Sequence, residues 1–192
     1  MATQIDKEFI NRQLHGDDKM PGIIQQLQTV ADLLDAANRQ LSLGDKNFAT
    51  LLVINAGEVH ASAGGRIEAL RNYISNTILD QQMMQIMFEV RQKFEELQQK
   101  INAAFGMISA YPATNLNAIA NAVRAIVNQI LYALGAVAQR ADELLQSTGQ
   151  IIGEAAKTPI RAANIGIIAI AAVLIILAAG IARGTAGARV QI

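Results

Sequence analysis

The chain has 192 residues, with 16 basic and 16 acidic side chains and a formal net charge of zero. A protein that binds nucleic acid through a broad basic face is therefore not expected. The absence of cysteine excludes disulfides, thiol nucleophiles and thiolate metal ligands. Aromatic residues make up only 4% and there are only 3 prolines, and both features favour helices over sheets.

The first residues, MATQIDKEFINRQLHGDD, are too polar for a secretory signal peptide. Residues 1–20 instead predict an amphipathic segment with a short helix from Thr3 to Leu14, capped by Thr3 and ended by Gly16. Pro21 suits the first turn of the next helix. We expect the bulk of the chain to stay on the cytoplasmic side.

A helical, coiled-coil-like region is predicted over residues 21–110. Its first helix has apolar residues spaced alternately four and three apart, which is the heptad pattern of a helix that packs along a partner helix. This first seam contains Ile23, Leu27, Val30, Leu34, Ala37 and Leu41. Gly44 closes the helix and Asp45 can cap the next one, which is short.

Glycine and small residues cluster in residues 57–65, GEVHASAGG, and predict a loop. A phosphate-binding loop would need Lys followed by Ser or Thr after its last glycine, but Arg66 and Ile67 stand there. Phosphate binding is therefore not expected at this segment.

The longest helix is predicted from about Arg66 to Ala104 and carries a second heptad seam. This second seam contains Met83, Met87, Val90, Phe94, Leu97 and Ile101 and extends to Ala104 and Ile108. Its register differs from that of the preceding apolar residues around 80–82, so we expect the helix to bend or to change partner there. The methionines are interpreted as core residues rather than as a plastic binding surface.

Residues 113–156 predict an apolar packing helix, capped by Thr114 or Asn115 and loosened near its end by Gly149 and Gly153. The part over residues 116–138 is apolar around much of its circumference, which is typical of a helix buried among others. A membrane span is the alternative for this part. Its polar residues, Arg124, Asn128 and Gln129, favour the buried helix because an arginine is costly inside a bilayer.

A transmembrane helix is predicted over residues 162–182, AANIGIIAIAAVLIILAAGIA, which contain no charged residue. At about 1.5 Å per residue this run covers about 30 Å, the thickness of the hydrocarbon core. Basic residues flank it and suit the lipid headgroups. These membrane-flanking residues are Lys157, Arg161, Arg183 and Arg189.

The basic residues are balanced across the predicted span, so the positive-inside rule does not orient it. The short tail over residues 183–192 instead suggests a tail-anchored, single-pass topology, in a cellular or a viral membrane, with the N-terminal bulk in the cytoplasm.

No pattern in the sequence indicates a particular reaction, and the chain is not expected to be an enzyme. His15 and His60 fall in separate predicted loops, so no metal site or other cofactor is expected. Ser62 lacks the pattern of a nucleophile elbow. The acidic pairs are interpreted as solvated surface rather than as acid/base pairs. These pairs are Asp17 with Asp18 and Glu95 with Glu96.

The sequence thus predicts an all-α protein: an antiparallel helical bundle with coiled-coil-like helices, followed by one C-terminal transmembrane helix. The expected function is that of a structural or scaffolding protein. It would associate with itself or with another helical or shell protein, for example in a virion or organelle, and with a lipid bilayer. No small-molecule substrate is evident. The alternative is a pore-forming or lytic protein that uses residues 116–138 as a second span. A fusion-type coiled coil fits less well because Pro112 and Pro159 interrupt it.

Overall fold

A computed structural model describes residues 5–110 and 115–157, with side chains as far as 147. The described part is predominantly α-helical, as predicted, and its two strands have two residues each. The chain divides into two compact units: the first is Ile5–Glu143, and the second is made of Met1–Gln4 and Leu144–Ile192. The contacts below all lie within the first unit.

Five α-helices and one π-helical turn make up the described chain, and they follow one another with short connections. In order they are α1 (Lys7–His15), β1 (Gly16–Asp17), β2 (Met20–Pro21), α2 (Ile23–Ser42), α3 (Lys46–Tyr73), the π-helical turn (Ile74–Ile78), α4 (Gln81–Ser109) and α5 (Asn117–Lys157).

Helix α1 is short, and it packs against α2 and α3. Asp6 rather than Thr3 caps it, because the Asp6 carboxylate accepts a hydrogen bond from the Phe9 backbone N–H; Thr3 lies outside the described residues. Gly16 ends the helix, as predicted. Pro21 lies in β2, so the expectation that it starts α2 was wrong, and α2 begins after Gly22.

Helices α2 and α3 form an extensive contact and run in opposite directions. The reversal between them is made by Gly44, whose φ is +88°, and by Asp45, whose carboxylate accepts a hydrogen bond from the Phe48 N–H. Both residues therefore act as predicted. Along the contact, Gln26 of α2 donates a hydrogen bond to Ser62 of α3.

The predicted loop over residues 57–65 was wrong, because these residues lie inside α3. Their small side chains have a packing role instead. Ala63 is fully buried, and a Cβ added to Gly64 would lie 3.0 Å from the Phe94 ring of α4. Small residues are needed here because α2 and α4 both approach α3 closely, and they do not break the helix.

The predicted single helix from Arg66 to Ala104 is also interrupted. It changes into the π-helical turn after Tyr73 and ends at Leu79, which adopts the left-handed conformation with φ +58°. Asp80 then caps α4 through a hydrogen bond from the Met83 N–H. The change of register predicted around residues 80–82 therefore corresponds to a full reversal of the chain, since α3 and α4 run in opposite directions.

Helix α5 begins at Asn117, which places Leu116 rather than the predicted Asn115 at the N-cap; the other predicted cap, Thr114, lies outside the described residues. It continues through Gly149 and Gly153, where a looser chain was expected. In its first part the buried side chains repeat with helical spacing. They are Ala120, Val123, Ile126, Val127, Ile130, Leu134, Val137 and Ala141, and Leu116, which directly precedes the helix, is buried as well.

Polar contacts join α5 to two other helices. Asn38 of α2 donates a hydrogen bond to Asn117 and accepts one from the Leu116 N–H, both at 2.6 Å. Further along α5, Arg140 pairs with Asp80 at the start of α4. Helix α5 therefore runs in the opposite direction to both α2 and α4.

Candidate functional site

The first predicted seam lies on the buried side of α2. All six of its residues are buried, and five of them, all but Leu41, are fully inaccessible. They pack against other helices of the same chain, chiefly α3. Any association with a second protein therefore has to use side chains other than Ile23, Leu27, Val30, Leu34, Ala37 and Leu41.

The second seam lies on the buried side of α4. Met83, Met87, Val90, Leu97 and Ile101 are buried, as are the two residues that extend it. Phe94 is the exception and is half-buried. Its ring lies over Gly64 at the margin of the contact between α3 and α4, where the absent side chain makes room for it.

His60 lies on the buried face of α3, and the loop expected around it is absent. Its ring stacks on the Phe94 ring, with centroids 3.8 Å apart and an angle of 10° between the planes. Its Nε2 lies 3.1 Å from the Phe94 carbonyl oxygen. Burial lowers the pKa of His60, and the hydrogen bond to Phe94 only partly offsets this. The neutral ring therefore serves as a packing group. The other histidine, His15, ends α1.

Arg124 is the residue that decides between a core helix and a membrane span for the first part of α5. Its guanidinium forms an ion pair with the Asp35 carboxylate of α2. Asn128 and Gln129 are exposed and line an open groove of about 550 Å³ between α4 and α5. In this arrangement Arg124 faces α2, and Asn128 and Gln129 face the groove and solvent.

The reversal between α3 and α4 contains a charged cluster that was not singled out from the sequence. The Asp80 carboxylate accepts hydrogen bonds from the Met83 N–H at 2.9 Å and from Arg140 Nη2 at 3.1 Å. Arg140 also donates to Glu143 at 3.1 Å. The position of Asp80 before an apolar helical run is an N-cap signal that could have located it.

Asp80 has a perturbed pKa. Burial alone would raise it, but the hydrogen bonds from Arg140 and from the Met83 N–H outweigh burial, so the pKa of Asp80 is lowered. The same contacts raise the pKa of Arg140, first through Asp80 and then through Glu143. Both groups are therefore held in their charged forms, which is what a structural ion pair requires.

The remaining polar candidates have local partners. Asp17 accepts hydrogen bonds from the backbone N–H groups of Lys19 and Met20, and these bonds lower the pKa of Asp17. Glu95 pairs with Arg91, and Glu96 pairs with Lys93. The carboxylates thus stabilise a turn and a helix surface.

No group of three His, Cys, Asp or Glu side chains suited to a metal ion occurs among the described residues. The membrane-flanking side chains Lys157, Arg161, Arg183 and Arg189, the predicted span over 162–182 and the tail over 183–192 lie outside the described side chains. Within the described ranges, one helix, Asn117–Ser147, is long and apolar enough to cross a membrane. Core helices of soluble proteins can meet the same criterion.

Comparisons with protein-family models, with curated proteins and with solved structures gave no match to this chain. The functional argument therefore depends on the residues and their geometry alone.

Proposed function

We propose that this protein is a membrane-anchored structural protein. Its helices α2–α5 form an antiparallel bundle, and residues 162–182 hold that bundle at a lipid bilayer. The observation that carries the proposal is the uncharged run over 162–182 between Arg161 and Arg183. Its length matches the hydrocarbon core, and arginines at both limits can reach the headgroups.

The contacts between helices support the bundle. Each helix from α2 to α5 runs opposite to the one before it, and their buried faces carry aliphatic side chains and methionine. Hydrogen bonds and ion pairs lie around this core and connect α5 to α2 and α4. Such an arrangement provides a stable body, which suits a structural role.

Association with further copies or with a protein shell is the second part of the proposal. Because both heptad seams are occupied within the chain, this association uses exposed side chains. Phe88 on α4 and Tyr132 on α5 are 55% and 85% exposed, and aromatic side chains are common at protein interfaces. Light scattering of the purified chain in detergent would measure its mass, and a monomer at all concentrations would contradict self-association.

The anchor is tested in the full chain by the double variant Ala172→Arg, Ile176→Arg. Two arginines at the middle of the run cost about 5 kcal/mol or more in a bilayer, going by insertion scales. We expect the wild-type chain to stay with vesicles after alkaline carbonate extraction and the variant to be released. The matched control, Ala186→Arg with Ala188→Arg, adds the same charge outside the run and should remain bound. Retention of the mid-run variant would contradict the anchor.

A membrane-active protein is the second candidate function, and the observation that favours it is the span-like length and hydropathy of Asn117–Ser147. In this hypothesis α5 leaves α2 and α4 and enters the bilayer, which breaks the Arg124–Asp35 and Arg140–Asp80 pairs. Release of a dye from liposomes by the full chain would support it. Intact liposomes would favour the structural protein.

A further inference from the structure

One end of the helical core has an unusual surface. At this end the α2–α3 reversal, the last turns of α4 and the start of α5 lie together. Asn38 of α2 is hydrogen-bonded to Asn117 and Leu116 at the start of α5. On the α3–α4 side, the Cβ position of Gly57 lies 3.9 Å from Ile101. Because α3 and α4 are antiparallel, the residues of α3 before Gly57 lie beside the residues of α4 after Ile101.

Large apolar side chains are exposed at this end. We call the set the uncharged end, and it consists of Phe48, Leu51, Ile54, Phe105 and Met107, which are 43–55% exposed. Ile54 and Phe105 flank the contact between α3 and α4, one turn or so beyond the pair formed by Gly57 and Ile101. Leu51 lies one turn before Ile54 on the outer surface of α3.

Charges are missing from both stretches of sequence to which these side chains belong. No Asp, Glu, Lys or Arg occurs in residues 47–57 or in residues 101–123. The bordering charges are Lys46 and Glu58 beside the first stretch and Lys100 and Arg124 beside the second. At the α2–α3 reversal, Asp45 and Lys46 are exposed. By contrast, the middle of α4 carries the ion pairs of Arg91 with Glu95 and Lys93 with Glu96.

We propose that the uncharged end inserts into the interfacial region of a lipid bilayer. This deepens the proposed membrane function and is independent of where the anchor lies. Lipid is the occupant that fits best because charged side chains are costly below the headgroups, and both apolar stretches are free of them. Phenylalanine, leucine, isoleucine and methionine supply apolar area that a bilayer can accept.

The neighbouring start of α5 supports the same occupant. The uncharged stretch 101–123 continues into the first turns of the one described helix that is long and apolar enough to cross a membrane. Lipid contact at the start of α5 therefore buries no unpaired charge, because the first charged residue of α5 is Arg124, which is paired with Asp35.

The experiment uses the full chain in phosphatidylcholine vesicles. Since the chain has no cysteine, Asn55→Cys introduces a single labelling site beside Leu51 and Ile54 without removing an apolar side chain. An environment-sensitive fluorophore at this site is exposed to lipids that carry nitroxides on their acyl chains. The control site is Gln82→Cys, in the first turn of α4 and roughly 35 Å from Phe105 by helical rise.

We expect several-fold stronger nitroxide quenching at position 55 than at position 82. Adding the charges Leu51→Asp and Phe105→Asp to the Asn55→Cys chain should lower its quenching to the level of the control. The matched variant Gln92→Asp, Gln99→Asp carries the same charges elsewhere on α4 and should keep the quenching. Circular dichroism of each variant checks that the helices are retained, which is expected because all four positions are exposed or half-exposed.

Two results would overturn the inference. Equal quenching at positions 55 and 82 would show that this end has no preference for lipid. A blue-shifted emission at position 55 without nitroxide quenching would show that protein, such as a second copy, covers the surface. The anchor is measured separately by carbonate extraction. A chain that resists extraction but lacks quenching contradicts only the uncharged end, and a quenched chain that is extracted contradicts only the anchor.

Discussion

The two chain reversals at the ends of α3 contain similar residues, but a different residue adopts the left-handed conformation in each. At each reversal an exposed leucine, Leu43 or Leu79, follows the helix, and an aspartate caps the next helix by accepting a hydrogen bond from an N–H three residues later. The α2–α3 reversal has Gly44 at φ +88°. The α3–α4 reversal has no glycine, and Leu79 itself takes the left-handed conformation after a π-helical turn.

The two capping aspartates differ as well. Asp45 has its capping hydrogen bond and lies near the uncharged end, whereas Asp80 is also paired with Arg140 of α5. The first reversal is therefore specified locally by its own residues. The second depends on a contact with a helix far along the chain, because nothing in its local sequence favours the left-handed leucine.

Removing the Asp80 carboxylate is expected to have the largest effect. Asp80→Ala removes the cap and leaves Arg140 with less than its full set of partners, so we expect a loss of about 2–3 kcal/mol in the free energy of unfolding. Asp45→Ala removes only a cap and should cost about 1 kcal/mol. Urea unfolding of the full chain in detergent, followed by circular dichroism, measures both. Equal losses would contradict the role assigned to Arg140.

Acid should remove the contribution that the ionised Asp80 carboxylate makes to the free energy of unfolding. Because its pKa is lowered in the folded chain, its contribution to stability is fully present above the ordinary aspartate value. It is lost as the pH falls through the lowered value, where the folded state also takes up the proton. The wild-type chain and Asp80→Ala should therefore converge in stability in acid. A constant gap between them across this range would show that the ion pair does not stabilise the reversal.

Replacing glycine by alanine should change the stability in opposite directions inside a helix and at a residue with positive φ. Gly65 lies inside α3 with open space at its Cβ position, so Gly65→Ala should stabilise the chain by about 0.5–1 kcal/mol. Gly44→Ala should destabilise it by about 1–2 kcal/mol, because φ there is positive. Thermal unfolding measures both shifts. No gain from Gly65→Ala would favour the loop predicted over residues 57–65.

The elements that could be predicted are those whose signals are local. The heptad spacing of α2, with Gly44 and Asp45 after it, indicates one helix, its end and the start of the next. The small residues of 57–65 have the composition of a loop. Their presence in a helix is explained only by the neighbouring helices, because Phe94 of α4 packs against Gly64 and Gln26 of α2 is hydrogen-bonded to Ser62. Sequence alone contains no such distances.

The candidate site shows the same division. Spacing alone indicated which residues of α2 and α4 belong to apolar seams, but it did not show that their partners are helices of the same chain. Arg124 was interpreted as costly in a membrane, and its ion-pair partner Asp35, which the sequence did not indicate, lies far away in sequence. The pairing of Asp80 with Arg140 was missed for this reason, since no periodic pattern connects α4 with the later part of α5.

The smallest expected effect concerns the two exposed leucines. Leu79→Gly relieves the left-handed strain, which is worth about 1–2 kcal/mol, but it also adds about 0.4–1 kcal/mol of unfolded-state freedom. We therefore expect a net stabilisation of about 0.5 kcal/mol from the difference of these terms. Leu43 has φ −84° and ψ −3°, a conformation that leucine adopts without strain, so Leu43→Gly should destabilise by about 0.5–1 kcal/mol. Urea midpoints of the two variants, measured together, give the comparison directly. If both glycines destabilise, Leu79 is not strained, and the α3–α4 reversal is held by its local residues as firmly as the α2–α3 reversal.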